Sequence, residues 1–292
     1  MQLETLEQNL RQHVYYLADQ IGERNVPHPA ALHAAQAYIT QAWHEQGYNV
    51  EEQILVEQGI PCANLEINQR GNEQTEQLIL IGAHYDSVRG SPGANDNGSG
   101  VAALLELSRL FRSSTTARSV RFVAFVNEEP PYFFTRSQGS RSYARAAHQR
   151  GDDIRLMLSL ETMGYYSEEP HSQAYPPLFN LFYPDTANFI SLVSNFRSRK
   201  AMLKLAQAFK NSSNFPLQHI ATFALIPGVA WSDHLSFWMH RYKALMVTDT
   251  AFYRYPYYHS AQDTADKLDY TRLAQVCDGL FKAVSLLAND PL

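Results

Sequence analysis

One segment constrains the fold of this chain more than any other: a short apolar run that leads into a polar turn and then a helix. Residues 78–82 (LILIG) form a continuous apolar run, which predicts a buried strand. His84 and Asp86 follow it, and GANDNGSG (residues 93–100) then opens a stretch with helical periodicity. Ligands in open α/β sheets collect beyond the carboxyl ends of the strands. We therefore expect chemistry at His84, Asp86 and Asp96.

Strand-like and helix-like segments alternate along most of the chain. Two helical patterns at the N-terminus precede a strand, which the next apolar segment joins as a hairpin. Strands are predicted at 51–56, 62–67, 78–82, 120–126, 154–160 and 243–247, and helices follow from about 101, 137 and 271. Such alternation predicts an α/β fold with three layers, α/β/α, around a mixed, mostly parallel sheet.

The length of 292 residues is compatible with one large domain, and we predict a single catalytic domain over residues 1–292. Residues 165–230 break the alternation and are rich in Tyr, Phe and Pro. We interpret them as an insertion or lid over the site, with one helix at about 186–209.

Charge and composition exclude several classes of function. The formal net charge is −5 and no run of Lys or Arg is present, which argues against a nucleic-acid partner. No apolar stretch has the roughly 18–20 residues needed to span a bilayer. Cys62 and Cys277 form no disulfide framework, so we expect a cytoplasmic protein, or a secreted or periplasmic one if a leader has been removed. The sequence indicates no particular oligomeric state.

Histidine and carboxylate side chains recur where the predicted strands end. His84, Asp96, Glu129, Glu161 and His259 supply nitrogen and oxygen donors without thiolates. Such donors suit zinc, with cobalt or manganese as substitutes. Because a carboxylate can bridge two ions, two metals near one carbonyl would favour hydrolysis of an acyl bond. The pattern therefore predicts a metal-dependent hydrolase.

The adjacent glutamates after strand 120–126 are expected to play different roles. Neighbouring residues at a strand end point apart, so Glu129 can bind metal while Glu128 accepts a proton as general base. Asp86 is expected to hold the second ring nitrogen of His84 and fix its tautomer.

Five motifs in this order resemble the zinc-dependent exopeptidases of the bacterial leucyl aminopeptidase type, whose fold the glutaminyl cyclases share. The motifs are HYDS, GANDNGSG, NEE, SDHLSFW and YHSAQDT, and the resemblance runs from about residue 13 to residue 280. It implies two zinc ions, with His84 on one, Glu129 and His259 on the other, and Asp96 bridging both. It also implies Glu128 as general base, a peptide substrate, and a cis peptide bond between Asp96 and Asn97.

One position departs from the family pattern. LETMGY places Glu161 where these aminopeptidases usually have Asp, and the extra methylene moves the carboxylate outward by about 1.5 Å. Carboxypeptidases and deacylases of the wider clan also use carboxylates here, sometimes Glu. An aminopeptidase is the first interpretation; a single-zinc glutaminyl cyclase and a carboxypeptidase or deacylase are the alternatives. A non-enzymatic relative is disfavoured because no ligand is missing.

Substrate contacts are predicted from aromatic and polar residues near these motifs. The candidates are Tyr132, Phe133, Asp233, His234 and Tyr258. A single His at a strand end is often structural, so His234 is open to either interpretation. Glu168 and Glu169 repeat the chemistry of the other glutamate pair, but Pro170 follows them and they are predicted to lie on a solvated loop.

Overall fold

The computed structural model describes residues 3–290. Its strands are β1 (Glu51–Glu57), β2 (Ile60–Gln69), β3 (Gln74–His84), β4 (Arg118–Phe125), β5 (Asp153–Glu161), β6 (Ile190–Ser194), β7 (Leu217–Ala221) and β8 (Ala244–Thr248). Its helices are α1 (Leu3–Tyr15), α2 (Pro29–Glu45), α3 (Gly100–Arg112), α4 (Gly139–Arg150), α5 (Arg199–Ser212), α6 (His234–Met239) and α7 (Tyr270–Asn289).

All eight strands form one sheet in the order β1-β2-β4-β3-β5-β8-β6-β7. The central strands β4, β3, β5 and β8 run parallel, while β1, β2 and the β8–β6 pair add antiparallel contacts. The mixed, mostly parallel sheet that the sequence predicts is thus confirmed, as is the β1–β2 hairpin.

Helices cover both faces of the sheet. The larger apolar core lies on one face, where buried residues of α1, α2, α3, α5 and α7 pack together with the strands. A smaller cluster on the other face joins α4 and α6 through Tyr143 and Phe237. This arrangement is the predicted three-layer α/β/α architecture.

The segment 165–230 differs from its prediction. Residues 190–194 form strand β6, and α5 begins only at Arg199, so a continuous helix over 186–209 was wrong. Strand β7 follows, and both strands belong to the main sheet. The cause is local: ISLVS is a run of only five residues, which periodicity alone cannot separate from the start of a helix. Part of the proposed insertion therefore belongs to the main sheet, whereas the loops before β6 and after β7 lie outside the sheet.

Two further findings bear on the composition. Across residues 3–290, no helix has both the length and the apolar character that crossing a membrane requires. Cys62 and Cys277 are buried and free.

Candidate metal centre

The predicted metal ligands collect at the edge of the sheet where the parallel strands end. His84 is the last residue of β3, and Glu161 is the last residue of β5. Glu129 follows β4, Asp96 lies in the turn before α3, and His259 comes from the loop after β8. Five segments that are distant in sequence thus bring their donor groups to one place.

Asp96 lies between the two histidines and faces each with a different oxygen. Its Oδ1 is 3.4 Å from His84 Nε2, and its Oδ2 is 3.1 Å from His259 Nε2. The same nitrogen of His84 is 3.3 Å from Glu161 Oε2, while that of His259 is 3.4 Å from Glu129 Oε2. The donors therefore form two sets that share one carboxylate, His84–Asp96–Glu161 and Asp96–Glu129–His259. A third group of donor atoms joins Glu128 to His84 and Glu129.

These donor atoms fit a divalent cation. Within residues 3–290, His84 Nε2, both Asp96 oxygens and Glu129 Oε1 are buried and have no hydrogen-bond partner. Such groups are normally satisfied, so atoms left unpaired together need another partner. Zinc bonds of 2.0–2.2 Å in tetrahedral geometry place two ligand atoms about 3.3 Å apart. The separations in both sets agree with that value.

The electrostatics of the cluster also favour a cation. Burial raises the pKa of Glu129 well above its usual range, and the nearby Asp96 carboxylate raises it further. Burial acts to lower the pKa of His84, but Glu161 and Glu128 outweigh it, so this pKa lies well above its usual value. Without a cation the buried carboxylates repel one another. Metal binding and proton uptake therefore compete here.

Asp86 connects the histidine to the glutamate pair. Its two carboxylate oxygens accept hydrogen bonds from the backbone N–H groups of Glu128 and Glu129, at 3.1 Å each. His84 Nδ1 lies 3.2 Å from the backbone oxygen of Asp86 and 3.6 Å from its Oδ1. The ring nitrogen is thus held mainly by the backbone, and the carboxylate fixes the turn that carries both glutamates.

The turn that carries Asp96 has an irregular backbone. The peptide bond between Asp96 and Asn97 is cis, which confirms the expectation from the family resemblance. Gly93 precedes it with φ 63°, and a Cβ at this position would lie 2.5 Å from the Asp96 carbonyl oxygen. Asp263 accepts hydrogen bonds from the backbone N–H groups of Asn95 and Asp96 through its two oxygens. Asp263 stands in the YHSAQDT motif, so the motif contained the signal that would have identified it.

Arg24 supports the same turn, and sequence reasoning missed it. Its side chain is fully buried and donates hydrogen bonds to the carbonyl oxygens of Tyr85, Pro92 and Gly93, at 2.6, 2.6 and 2.7 Å. It therefore ties the end of β3 to the glycine that begins the turn. No local pattern in GERN distinguishes such a residue from a solvated arginine.

Ser232 holds Glu161, the glutamate that stands where the similar aminopeptidases usually have aspartate. Ser232 Oγ donates to Glu161 Oε2 at 2.7 Å and lies 2.8 Å from Ser159 Oγ. Both serines are fully buried. The longer side chain of Glu161 is thus fixed with one oxygen 3.3 Å from His84 Nε2.

Two cavities meet at this centre. The first, which we call the metal cavity, is bordered by Asp96, Glu128, Glu129, Pro130, Phe133, Phe134, Glu161, Trp231, Tyr258 and His259. The second, the apolar cavity, lies over β8, β6 and β7 and shares Glu161, Trp231 and Tyr258 with the first. Those three residues mark the boundary between the two.

The predicted substrate contacts divide into two groups. Phe133 and Tyr258 line the metal cavity, and the Tyr258 ring stacks on His259 with centroids 3.9 Å apart. Tyr132, Asp233 and His234 line neither cavity. All three are buried, so the structure does not bring them to the metal centre with the other predicted contacts.

Each of these three residues has a buried environment. Tyr132 accepts a hydrogen bond from Gln58 at its hydroxyl, 3.0 Å away. Asp233 is 0% exposed, and burial raises its pKa to about 7. His234 lies 2.8 Å from the Val229 carbonyl oxygen through Nε2, and burial lowers its pKa to about 4. The structural interpretation of His234 is the one that the fold supports. Glu168 and Glu169 are exposed, as predicted.

A family comparison agrees with this site. The model of peptidase family M28 matches residues 64–284, which include every residue of the two donor sets. The chain belongs to peptidase family M28. Family membership makes it a peptidase and confirms the resemblance to the exopeptidases.

Individual relatives extend the comparison. The uncharacterized protein YfbL of Escherichia coli is 36% identical over 292 residues, which cover 97% of this chain and 88% of YfbL. A probable leucine aminopeptidase of Arthroderma benhamiae is 25% identical over 238 residues, 74% of this chain. The match spans 56% of that fungal protein.

Two solved structures share the fold. A zinc aminopeptidase from Bacillus subtilis, BSAP, superposes with a TM-score of 0.78 at 14% identity and covers 97% of this chain and 95% of its own. A glutaminyl cyclase from Bacteroides thetaiotaomicron reaches a TM-score of 0.71 at 18% identity, over 96% of this chain and 97% of its own. At these identities the likeness establishes the fold alone.

Proposed function

We propose that this M28 peptidase is a di-zinc aminopeptidase that releases N-terminal residues from peptides. One observation carries the proposal: the oxygens of Asp96 face two different histidines, each of which is accompanied by a further glutamate. His84 and Glu161 would hold one ion, and Glu129 and His259 the other, with Asp96 between them. The names of the fungal relative and of BSAP are consistent with this activity.

When bound, two zinc ions supply a Lewis acid for the scissile carbonyl and lower the pKa of water. The protein supplies the base. Glu128 borders the metal cavity and belongs to neither of the two complete donor sets, and its Oε2 is 3.9 Å from His84 Nε2. We assign it to accept the proton of the attacking water and return it to the leaving amine. Asp86 positions the Glu128 backbone for this transfer.

Aromatic side chains border the place where the peptide must lie. Phe133, Trp231 and Tyr258 line the metal cavity beside the donor sets. Their surfaces exclude water around the scissile bond, which strengthens the electrostatic contacts made there. We assign Phe133 and Tyr258 to contact the peptide.

The charge of the cavities favours an aminopeptidase over a carboxypeptidase. Recognition of a substrate carboxylate normally uses Arg or Lys. Among the described residues, neither Arg nor Lys lines either cavity. A cavity lined by carboxylates and without a cationic side chain suits the free α-amino group of a peptide better than its carboxylate.

The test compares free and N-acetylated aminoacyl 4-nitroanilides as substrates of the zinc-loaded protein. We expect release of nitroaniline from the free compounds and loss of activity on N-acetylation, because the acetyl group removes the positive charge of the amine. Equal activity on blocked substrates would contradict an aminopeptidase. Cyclisation of N-terminal glutamine with one bound zinc would instead support a glutaminyl cyclase.

A further inference from the structure

The apolar cavity has a floor of sheet and a roof of aromatic side chains. The floor belongs to β8, β6 and β7, and the wall toward the metal cavity contains Trp231 and Tyr258. The roof includes Phe179, Tyr183, Phe252 and Tyr253, from the loops that precede β6 and follow β8. Because Glu161 borders both cavities, a peptide bound at the metal centre can extend one side chain into this space.

Strand register divides the floor into two rows. Thr248 of β8 and Gln218 of β7 are both paired with Ser191 of β6, and Thr248 is also paired with Glu161 of β5. Together they form a polar row that leads from the metal ligand across the sheet.

The second row lies two residues away and is apolar. Met246, Val193 and Ile220 are paired in the same way. Because side chains alternate along a strand, the two rows lie on the same face of the sheet. The floor therefore contains one polar row and one apolar row, and His219 of β7 also lines the cavity.

Two groups of the polar row are available to a ligand. The Thr248 hydroxyl is used, because it accepts from the Thr250 N–H and lies 3.1 Å from Thr162 Oγ1. In contrast, the Ser191 hydroxyl and the Gln218 side-chain amide make no hydrogen bond to any other group within residues 3–290. Ser191 is only 7% exposed, and both residues line the apolar cavity. Neither group is among the polar atoms that the fold buries without a partner, so each is open to the cavity and can hydrogen-bond a ligand that enters it.

We propose that the apolar cavity binds the side chain of the substrate's N-terminal residue and selects tyrosine over phenylalanine. This inference rests on the proposed aminopeptidase function. The aromatic roof packs against the ring, while Ser191 and Gln218 hydrogen-bond the phenol hydroxyl. Strands lie 4.7–4.9 Å apart, so Ser191, two strands from Glu161, is about 10 Å from it across the sheet. An aromatic residue whose amine lies beside Glu161 reaches this row with its para position, whereas leucine and alanine are too short.

The experiment measures kcat/KM of the zinc-loaded enzyme for the 4-nitroanilides of tyrosine, phenylalanine and leucine. One or two neutral hydrogen bonds correspond to about 2- to 10-fold each, so we expect tyrosine to exceed phenylalanine by at least about 5-fold. In Ser191→Ala combined with Gln218→Leu, the ratio of tyrosine to phenylalanine should fall to within about 2-fold. Ser113→Ala, at an exposed serine after α3, is the matched control and should keep the wild-type ratio.

Three outcomes would overturn the inference. Wild-type enzyme could treat tyrosine and phenylalanine alike, or the double variant could lower both rates by the same factor. Either result, with leucine and phenylalanine still hydrolysed, refutes the selectivity and leaves the aminopeptidase function intact. No hydrolysis of any free aminoacyl anilide would refute both.

Discussion

The half of the sheet formed by β4, β3 and β5 ends in charged side chains, whereas the half formed by β8, β6 and β7 carries a cavity with mostly apolar walls. In the first half, buried side chains support the donor groups: Asp86 fixes the backbone of the glutamate pair, and Ser232 fixes Glu161. In the second half, the walls come from loops, and several large apolar side chains near it are exposed, among them Phe252 at 38%. We therefore expect the first half to carry out the reaction and the second half to select the substrate. Substitutions in the first half should change the rate or zinc binding, and substitutions in the second half should change the preference among substrates.

The largest effect is expected for Glu128→Gln in the charged half. Glutamine keeps the size and hydrogen bonding of the side chain but cannot accept a proton, and general-base catalysis contributes about 10²- to 10⁴-fold. We therefore expect kcat to fall at least 100-fold with zinc content unchanged. Steady-state kinetics and metal analysis measure both. Glu169→Gln, at an exposed glutamate of the chemically equivalent pair, should behave as wild type, and a near-wild-type rate for Glu128→Gln would refute the assigned base.

Glu129→Gln should affect the metal instead. Glu129 Oε2 is 3.4 Å from His259 Nε2, and the substitution removes one charge from that donor set. Loss of a ligand should weaken zinc binding by more than the 10- to 100-fold typical of residues that only support ligands. Activity should recover in part at high zinc concentration. Unchanged zinc affinity, measured by competition with a chelator, would remove Glu129 from the site.

Arg24→Gln tests the support of the charged half. The substitution leaves several buried carbonyl oxygens without their donor, and we expect the free energy of unfolding to fall by about 2–4 kcal/mol. Arg112 also donates to two backbone carbonyls, but it does so at the surface, so Arg112→Gln is a matched control. Denaturant titration of the zinc-loaded proteins measures both. If both substitutions lowered the free energy of unfolding equally, the burial of Arg24 would contribute nothing to stability.

Trp231→Ala should produce the smallest effect. Trp231 lines both cavities, is 44% exposed and contacts Phe252 with ring centroids 5.4 Å apart. We expect kcat/KM for aromatic N-terminal residues to fall about 3- to 10-fold, because a partly exposed aromatic contact contributes modestly. Zinc affinity should not change. A loss of zinc in this variant would erase the distinction between the two halves.

The donor residues of the charged half could be predicted from the sequence because they come directly after apolar strands. His84 and Glu161 end β3 and β5, and a strand end fixes where a side chain lies without knowledge of distant contacts. Asp96 and His259 lie in loops; the sequence predicted them as donors beyond the strand ends, but which ion each would bind was implied only by the resemblance to known exopeptidases. The motif order therefore supplied what periodicity could not.

The apolar cavity could not be predicted from the sequence, because it depends on contacts between distant segments. Its floor depends on the register of β6 against β7 and β8, which are not adjacent in the chain. Short apolar runs such as ISLVS fit either a strand or a helix, which led to the wrong helix at 186–209. The burial of Asp233 and His234 could not be predicted either, because a motif does not show whether its side chains face a cavity or the interior.

The number of zinc ions bound per chain tests the central claim most directly. Calorimetric titration of the metal-free protein, backed by elemental analysis, should give two zinc ions per chain. Asp96→Asn should weaken both binding events together, because Asp96 belongs to both donor sets, while Asp185→Asn, at an exposed aspartate, should weaken neither. One zinc ion per chain in the wild-type protein, or two binding events unaffected by Asp96→Asn, would contradict the account.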